Sequence, residues 1–220
     1  MNKSPMMFTI TGPSCAGKTT LMEALIERAP EIYFKLPSVT TRSRRSGEVD
    51  GDEYYFIDEQ TFVDHKLDGL FCQTVDYKGV SYGTYTRDLM LAVNKGKVPI
   101  RVVEPTGVDD FRICCAELDI DVFSIFVNQS FEIILSRWME RLALDVSDKI
   151  DKKGQVDYDF YSRRIMATLY EEPNWVHQQV YDFAYDAESQ DEDSMQYMLD
   201  RIARGKIGMD KARRLTSMAA

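Results

Sequence analysis

A stretch near the start of the chain has the spacing of a phosphate-binding loop. The pattern G-x-x-x-x-G-K-[ST] is met at every required position by Gly12-Pro13-Ser14-Cys15-Ala16-Gly17-Lys18-Thr19. Glycines let backbone N–H groups turn towards phosphate oxygens, and the N-terminus of a helix adds a positive field. The pattern predicts that Lys18 reaches the β- and γ-phosphates of a nucleoside triphosphate and that the Thr19 hydroxyl binds Mg²⁺.

A second segment has the composition of an anion-binding loop. Arg42, Arg44 and Arg45 fall within four residues, and guanidinium groups bind phosphate through paired N–H donors. The phenols of Tyr54 and Tyr82 would add further donors to the same phosphate. A basic loop that is simply solvated is the alternative for this segment.

Arginines recur late in the chain. Arg137 and Arg141 are four residues apart and therefore share one side of a helix, and Arg163 and Arg164 follow a polar stretch. Phosphoryl transfer needs charge stabilisation more than a base, because the acceptor phosphate is already an anion. Arginines on a closing lid would supply that charge. Surface arginines without a role are the alternative.

Strands and helices alternate around these segments. An apolar strand at 6–11 precedes the first loop, and a helix with apolar residues at helical spacing follows it at 18–29. Further strands are predicted at 36–39, 54–57, 70–77, 82–84, 98–103, 120–127 and 183–185, and further helices at 59–67, 86–94, 106–118, from 131 onwards, 158–172 and 194–204. The alternation implies a mostly parallel sheet covered on both faces. The block 40–84, with short strands and little helix, predicts an inserted lobe.

Local patterns predict how several elements begin and end. Thr86 is predicted as an N-cap, and 106–109 as a capping box. The polar residues 145–157 are predicted to form a mobile excursion, and 205–220 a frayed basic tail. The helix after 130 is expected to bury the apolar stripe Phe131, Ile134, Leu135, Trp138 and Leu142.

Composition excludes several classes of protein. With 44% apolar and 29% charged residues, the 220-residue chain has a globular composition. A chain of this length can bury a hydrophobic core without a structural zinc ion or disulfide bonds. Its 36 acids and 27 bases give a net charge of −9, which disfavours nucleic acid as a partner, and no apolar run approaches a membrane span. The four cysteines form no C-x-x-C pair and the first residues show no signal-peptide pattern, so a reduced, cytoplasmic protein is predicted.

Two other phosphate-loop functions fit the sequence less well. A GTP switch needs Asn-Lys-x-Asp, and Asn94-Lys95-Gly96-Lys97 fails at the last position. A motor ATPase normally needs a longer chain and an acidic strand end, for which the strand near Ile100 offers only Glu104. A small-molecule kinase with two anion sites is the favoured interpretation.

Together these segments resemble the guanylate kinase family, whose members phosphorylate GMP and dGMP with ATP. The resemblance runs from about residue 8 to residue 186, and its most specific part joins the phosphate loop to Thr40-Thr41-Arg42, Arg45, Gly47-Glu48, Tyr54 and Tyr82-Gly83-Thr84. It implies a P-loop NTPase fold, three-layer α/β/α with a parallel sheet core, an inserted mixed-β lobe that binds the nucleoside monophosphate (NMP), and a helical lid. Within one domain, the implied boundaries are 1–37, 85–140 and 165–204 for the core, 38–84 for the NMP-binding lobe, 141–164 for the lid and 205–220 for the tail.

The resemblance also implies roles for individual residues. The catalytic set would be Lys18, Arg42, Arg137, Arg141 and Arg164. The ATP-binding set would be Gly12, Pro13, Ser14, Cys15, Ala16, Gly17, Lys18, Thr19 and Thr20, with Thr19 on the metal. The NMP-binding set would be Ser38, Arg42, Arg45, Tyr54, Gln73, Tyr82, Thr84 and Glu104. Ser38 would meet guanine O6, and Thr84 would touch the base.

Two places depart from the family pattern. Gln73 stands where the family usually has a glutamate that accepts from guanine, and Val102 and Glu104 stand where it usually has Asp-x-Asp. Losing one such hydrogen bond costs about 1–3 kcal/mol, enough to relax base specificity. GMP or dGMP is the expected acceptor. An NMP with another base, a ribose phosphate, and a catalytically inactive binding module are the alternatives.

The expected ligands are therefore ATP, Mg²⁺ and a nucleoside monophosphate. Neither nucleic acid nor membrane is expected as a partner. Acidic residues are frequent between Arg141 and Arg164. This stretch is either a solvated excursion or a contact with a partner, so a homodimer is one of the alternatives.

Overall fold

The computed structural model describes residues 4–45, 47–77, 79–153, 162–163, 165–178 and 180–187. The predicted helix at 194–204, the predicted tail at 205–220 and Arg164 lie outside the described residues. Among the described helices, none is long and apolar enough to cross a lipid bilayer.

The described elements begin with a strand and alternate between strands and helices. The strands are β1 (Met6–Thr11), β2 (Tyr33–Lys35), β3 (Ser38–Thr40), β4 (Tyr54–Phe56), β5 (Phe71–Tyr77), β6 (Val80–Tyr85), β7 (Val98–Val102), β8 (Asp121–Asn128) and β9 (Phe183–Asp186). The α-helices are α1 (Lys18–Arg28), α2 (Glu59–Leu67), α3 (Thr86–Asn94), α4 (Pro105–Glu117), α5 (Phe131–Lys153) and α6 (Trp175–Gln178). A π-helix at Ala167–Glu171 and a 3₁₀-helix at Glu172–Asn174 precede α6.

The strands form two sheets. The larger one has the order β2-β7-β1-β8-β9, and β7 pairs in parallel with both β1 and β2, as β8 does with β9. The smaller sheet has the order β4-β3-β6-β5, in which β3 runs parallel to β4 and antiparallel to β6. This confirms the predicted α/β class, with a parallel sheet and a second, mixed sheet.

The chain divides into two compact units, which are described separately. The first holds residues 4–10 and 19–124 of the described chain. Its core includes Phe8, whose ring centroid lies 5.8 Å from that of Tyr33 and 5.4 Å from that of Phe123. The smaller sheet has its own cluster, in which Phe71 stacks between Phe62 at 4.8 Å and Tyr85 at 4.9 Å. This packing fixes β5 and β6 against α2.

The second unit holds residues 11–18 and 125–187 of the described chain. Phe126 on β8 packs against Tyr181, with ring centroids 5.0 Å apart. Ile134 and Trp138 on α5 are buried, as predicted. Phe131 and Leu135 were expected in the same stripe, and that expectation is wrong because their side chains are 47% and 41% exposed.

Several element boundaries match the prediction residue for residue, including β1, α2 and α3. The predicted caps are wrong. Tyr85 is the N-cap of α3, so Thr86 is its first helical residue, and no side chain caps the helix. Glu104 is the N-cap of α4, although its side chain makes no capping hydrogen bond, and Pro105 opens the helix, because the fixed φ of proline suits the first turn.

The predicted mobile excursion is also wrong over the part that the structure describes. Helix α5 continues through the polar residues to Lys153. In the sequence, Asp145 and Asp148 precede lysines by four residues, a spacing that stabilises helices, and no proline or glycine interrupts the stretch before Gly154. The rest of the predicted excursion, at 154–157, lies outside the described residues.

Candidate functional site

The phosphate loop connects β1 to α1, and its backbone can be formed only with glycine at its first position. Gly12 has φ 151°, and a Cβ atom there would lie 2.5 Å from the backbone oxygen of Val127. Gly17 also has a positive φ, of 103°. Cys15 adopts φ 63°, which is uncommon for a residue with a side chain. The loop thus folds tightly against the end of β8.

Lys18 lies folded over this loop. Its Nζ donates to the backbone oxygens of Gly12 and Pro13, at 2.7 Å each. The ammonium group is therefore held at the loop that would bind phosphate. Thr19 and Thr20 follow at the exposed start of α1.

One predicted arginine of α5 contacts the loop. Arg137 donates through Nη1 to the backbone oxygen of Cys15 at 3.2 Å. The same Nη1 lies 3.6 Å from the position that a Cβ on Gly17 would take. Arg141, one helical turn later, is exposed. Of the predicted late arginines, the described chain therefore places Arg137 at the loop.

A buried carboxylate holds the middle of the loop, and the sequence analysis did not identify it. Glu172 is 7% exposed and accepts from the Ser14 backbone N–H at 2.5 Å and from the Ser14 hydroxyl at 2.9 Å. It comes from the 3₁₀-helix, 158 residues away in the chain. No local pattern distinguishes it in the sequence from the neighbouring Glu171.

We expect Glu172→Ala to raise the KM for ATP about five- to twentyfold. The loop would lose two hydrogen bonds to a buried carboxyl group, each contributing about 1–3 kcal/mol, and part of that loss would weaken ATP binding through a less ordered loop. Initial-rate kinetics with ATP as the varied substrate would measure it. Glu171→Ala is the matched control, because Glu171 is exposed. A fall in the KM for ATP would contradict this expectation and would mean that the carboxylate competes with phosphate.

A second cluster of predicted residues lies in the first unit, on the smaller sheet and the loop after β3. Arg42 forms a fork with Glu48, with N–O distances of 3.0 and 2.8 Å. Its guanidinium carbon lies 5.3 Å from the ring centroid of Tyr54 and 5.5 Å from that of Phe56. Tyr82, which lies opposite Thr40 in the sheet, is also close enough to Arg42 to help raise the pKa of the guanidinium. The structure thus brings together Arg42, Tyr54 and Tyr82.

Glu48 organises this cluster. Besides Arg42, it accepts from the Arg45 backbone N–H at 2.7 Å. These bonds lower the pKa of Glu48 to about 2, with the Arg42 side chain as the largest cause. The same pair raises the pKa of Arg42. Both groups therefore stay charged above pH 4.5, and the fork is lost only as the pH falls towards 2. The Arg45 residue itself is exposed.

The residues expected at the base lie deeper in the same unit. Ser38 is 1% exposed and faces Tyr54 across the β3–β4 pair. Gln73 and Thr84 face each other across the β5–β6 pair, and the buried Thr84 hydroxyl has no hydrogen-bond partner in the described chain. Glu104 is half-buried at the start of α4.

Arg101 of β7 is the second functional candidate that the sequence analysis did not identify. It donates through Nη1 to the Leu36 backbone oxygen at 3.2 Å and through Nη2 to the Ser38 hydroxyl. Burial lowers its pKa, while Tyr54 and Cys72 lie close enough to oppose that shift. In the sequence, Arg101 is the only charged residue in the otherwise apolar run 98–103. That run predicts a strand and gives no further indication of a role for the arginine.

Comparisons with known proteins show which family this chain is similar to. A sequence model of the guanylate kinase family matches residues 4–169. The guanylate kinase of Trichormus variabilis is 32% identical over 163 residues, which are 74% of this chain and 73% of that protein. The guanylate kinase of Carboxydothermus hydrogenoformans is 30% identical over 154 residues, which are 70% of this chain and 73% of that protein.

The fold is also similar to a solved structure. The crystal structure of guanylate kinase from Anaplasma phagocytophilum superposes with a TM-score of 0.61 at 23% identity, covering 97% of this chain and 91% of that one. At that level of identity the likeness concerns the fold.

Proposed function

The chain belongs to the guanylate kinase family, and from this premise we propose that it transfers the γ-phosphoryl group of ATP to GMP or dGMP. The observation that carries the proposal is the fork of Arg42 and Glu48 beside Tyr54 and Tyr82. A phosphate loop alone occurs in many families, whereas this fork adds donors for a second phosphate on a separate sheet.

At the phosphate loop, Lys18 would move from the backbone oxygens of Gly12 and Pro13 to the phosphates of ATP. The backbone N–H groups of the loop and the N-terminus of α1 would bind the same phosphates. Arg137, anchored on the Cys15 backbone oxygen, would add positive charge as the phosphoryl group moves. Arg141 and Arg164 are proposed for the same task on the family resemblance alone.

Mg²⁺ is proposed as the cofactor. When bound to ATP, it supplies charge neutralisation between the phosphates. The hydroxyl of Thr19 suits it, because Mg²⁺ prefers oxygen ligands and this residue lies exposed directly after Lys18. Phosphate oxygens and water are proposed as the remaining ligands, because Mg²⁺ in phosphate-transfer sites is held mainly by such oxygens.

At the acceptor site, the Arg42 guanidinium and the phenols of Tyr54 and Tyr82 would bind the phosphate of GMP, with Arg45 joining them. Ser38, Gln73, Thr84 and Glu104 are proposed around the base. The buried Thr84 hydroxyl supports this assignment, because a buried hydroxyl without a partner is costly unless a ligand satisfies it. Residues 38–84 would form the NMP-binding lobe and residues 141–164 the lid. The four free cysteines support a reducing, cytoplasmic setting.

A coupled ADP-release assay with ATP and Mg²⁺ tests the proposal. GMP, dGMP, AMP, dAMP, dTMP, dUMP and dCMP would be compared at equal concentration. We expect GMP or dGMP to dominate by at least tenfold. Faster turnover of a nucleotide with a different base would contradict guanine specificity but would still support phosphoryl transfer. No turnover of any NMP would contradict the kinase itself.

A further inference from the structure

We propose that Arg101 determines base specificity, by donating a hydrogen bond to the carbonyl oxygen at position 6 of the purine. The inference rests on the proposed guanylate kinase activity and assigns to this chain a recognition group on β7. Arg101 was not among the residues expected at the base.

The first support is the state of Ser38. This serine is 1% exposed, and its hydroxyl oxygen accepts from Nη2 of Arg101. Arg101, by contrast, remains partly exposed. The Ser38 hydroxyl oxygen is thus already engaged, whereas the guanidinium has five N–H donors and uses two of them here, so it keeps donors for a ligand. Ser38 would contribute to base recognition through Arg101, as the group that holds it in position.

The second support is that the guanidinium lacks a compensating charge. None of the carboxylates in the described chain forms an ion pair with Arg101. Its Nε is buried and has no hydrogen-bond partner in the same part of the chain. A half-buried positive charge with so few hydrogen-bond acceptors is stabilised when a ligand supplies a further acceptor. A guanidinium can only donate, so it favours an acceptor such as a carbonyl oxygen and disfavours an amino group.

The third support is the position of Arg101 relative to the phosphate cluster. Tyr54 lies under the guanidinium of Arg42 at 5.3 Å and is also close enough to Arg101 to influence its charge. Ser38, which accepts from Arg101, also lies opposite Tyr54 in the β3–β4 pair, so both arginines lie near the same tyrosine. With a phosphate at Arg42, the base would extend towards Arg101. Pairing between an arginine and the oxygen at position 6 of guanine is a frequent means of guanine recognition.

The test compares two nucleotides that differ at position 6 and, as a consequence, in the proton on N1, so each variant is judged by its effect relative to the parent protein. GMP carries the carbonyl, whereas the monophosphate of 2-aminopurine riboside keeps the 2-amino group and carries only hydrogen at position 6. We expect Arg101→Met to raise the KM for GMP ten- to a hundredfold, with kcat within threefold of the parent. The KM for the 2-aminopurine nucleotide should change less than threefold. Its fluorescence also gives a direct binding titration that does not depend on turnover.

Arg112→Met is the matched control, because Arg112 also donates to a serine hydroxyl, that of Ser124 at 3.0 Å, but lies outside the proposed acceptor site. Arg101→Lys keeps the charge and is the second variant if Arg101→Met does not fold. It should lower the preference for GMP over the 2-aminopurine nucleotide at least threefold, because one ammonium cannot replace all the donors of a guanidinium. Both variants should leave the KM for ATP unchanged.

Three outcomes would be distinguishable. A GMP preference that disappears in Arg101→Met supports the inference. An equal rise in KM for both nucleotides, or an unchanged preference in Arg101→Lys, overturns it and leaves Arg101 a structural residue. Absence of GMP turnover in the parent protein would contradict the proposed function itself, whatever the variants do.

Discussion

Replacing Lys18 with alanine is expected to lower kcat/KM about a thousandfold, which corresponds to about 4 kcal/mol of transition-state stabilisation. Lys18 places its ammonium group at the loop, 2.7 Å from two backbone oxygens. No other group in the predicted ATP-binding set carries a full positive charge. Steady-state ADP release with saturating GMP would measure the loss.

Lys97→Ala is the matched control for this substitution. Lys97 also donates to a backbone oxygen, that of Pro30 at 3.0 Å, but this hydrogen bond is solvent-exposed and lies outside the proposed sites. Its removal should leave turnover within twofold of the parent. If Lys18→Ala retained more than a tenth of the activity at an unchanged melting temperature, the proposed role of the loop would be wrong.

Replacing Arg42 with lysine is expected to raise the KM for GMP about a hundredfold with a smaller change in the KM for ATP. Lysine keeps the charge but cannot form the two-bond fork with Glu48 and bind a phosphate at the same time. Charge-assisted hydrogen bonds contribute about 1.5–3 kcal/mol each, so the loss of one or two accounts for a change of this size.

Arg44→Lys serves as the control, because Arg44 lies in the same loop and is exposed. It should change the KM for GMP less than threefold. If Arg42→Lys changed the KM for GMP no more than Arg44→Lys does, the preserved positive charge would be sufficient, which would contradict a specific role for the fork. Kinetics at two salt concentrations would separate these cases, since the contribution of exposed charges is screened by salt.

Sequence patterns predicted the elements around the sites well because the signals there are local. The apolar run Met6–Thr11 and the loop that follows it need no knowledge of distant residues. The same is true of α2 and α3, whose ends were predicted to the residue. Tyr54 and Tyr82 could be grouped with Arg42 from their donor chemistry, and the family resemblance then supplied the long-range pairing that spacing alone does not give.

The site residues that the sequence did not predict make their contacts with residues far away in the chain. Glu172 reaches Ser14 over 158 positions, and Arg101 reaches Ser38 over 63. Neither pairing leaves a periodic trace in the sequence. The predictions of the helix caps were wrong for a different reason. Thr86 and Thr106 have suitable side chains, but the preceding residues Tyr85 and Glu104 already take the extended backbone that an N-cap requires.

The fork between Arg42 and Glu48 has a consequence for the thermodynamics of substrate binding. A free arginine side chain loses up to about 2 kcal/mol of conformational entropy when it is fixed in one rotamer. Here the side chain is already fixed by Glu48, by the Ser43 backbone oxygen at 2.8 Å and by two aromatic rings. That entropy is lost when the chain folds and not when the nucleotide arrives. The proposed acceptor site is therefore preorganised, so that an acidic residue would strengthen the binding of an anion without contacting it.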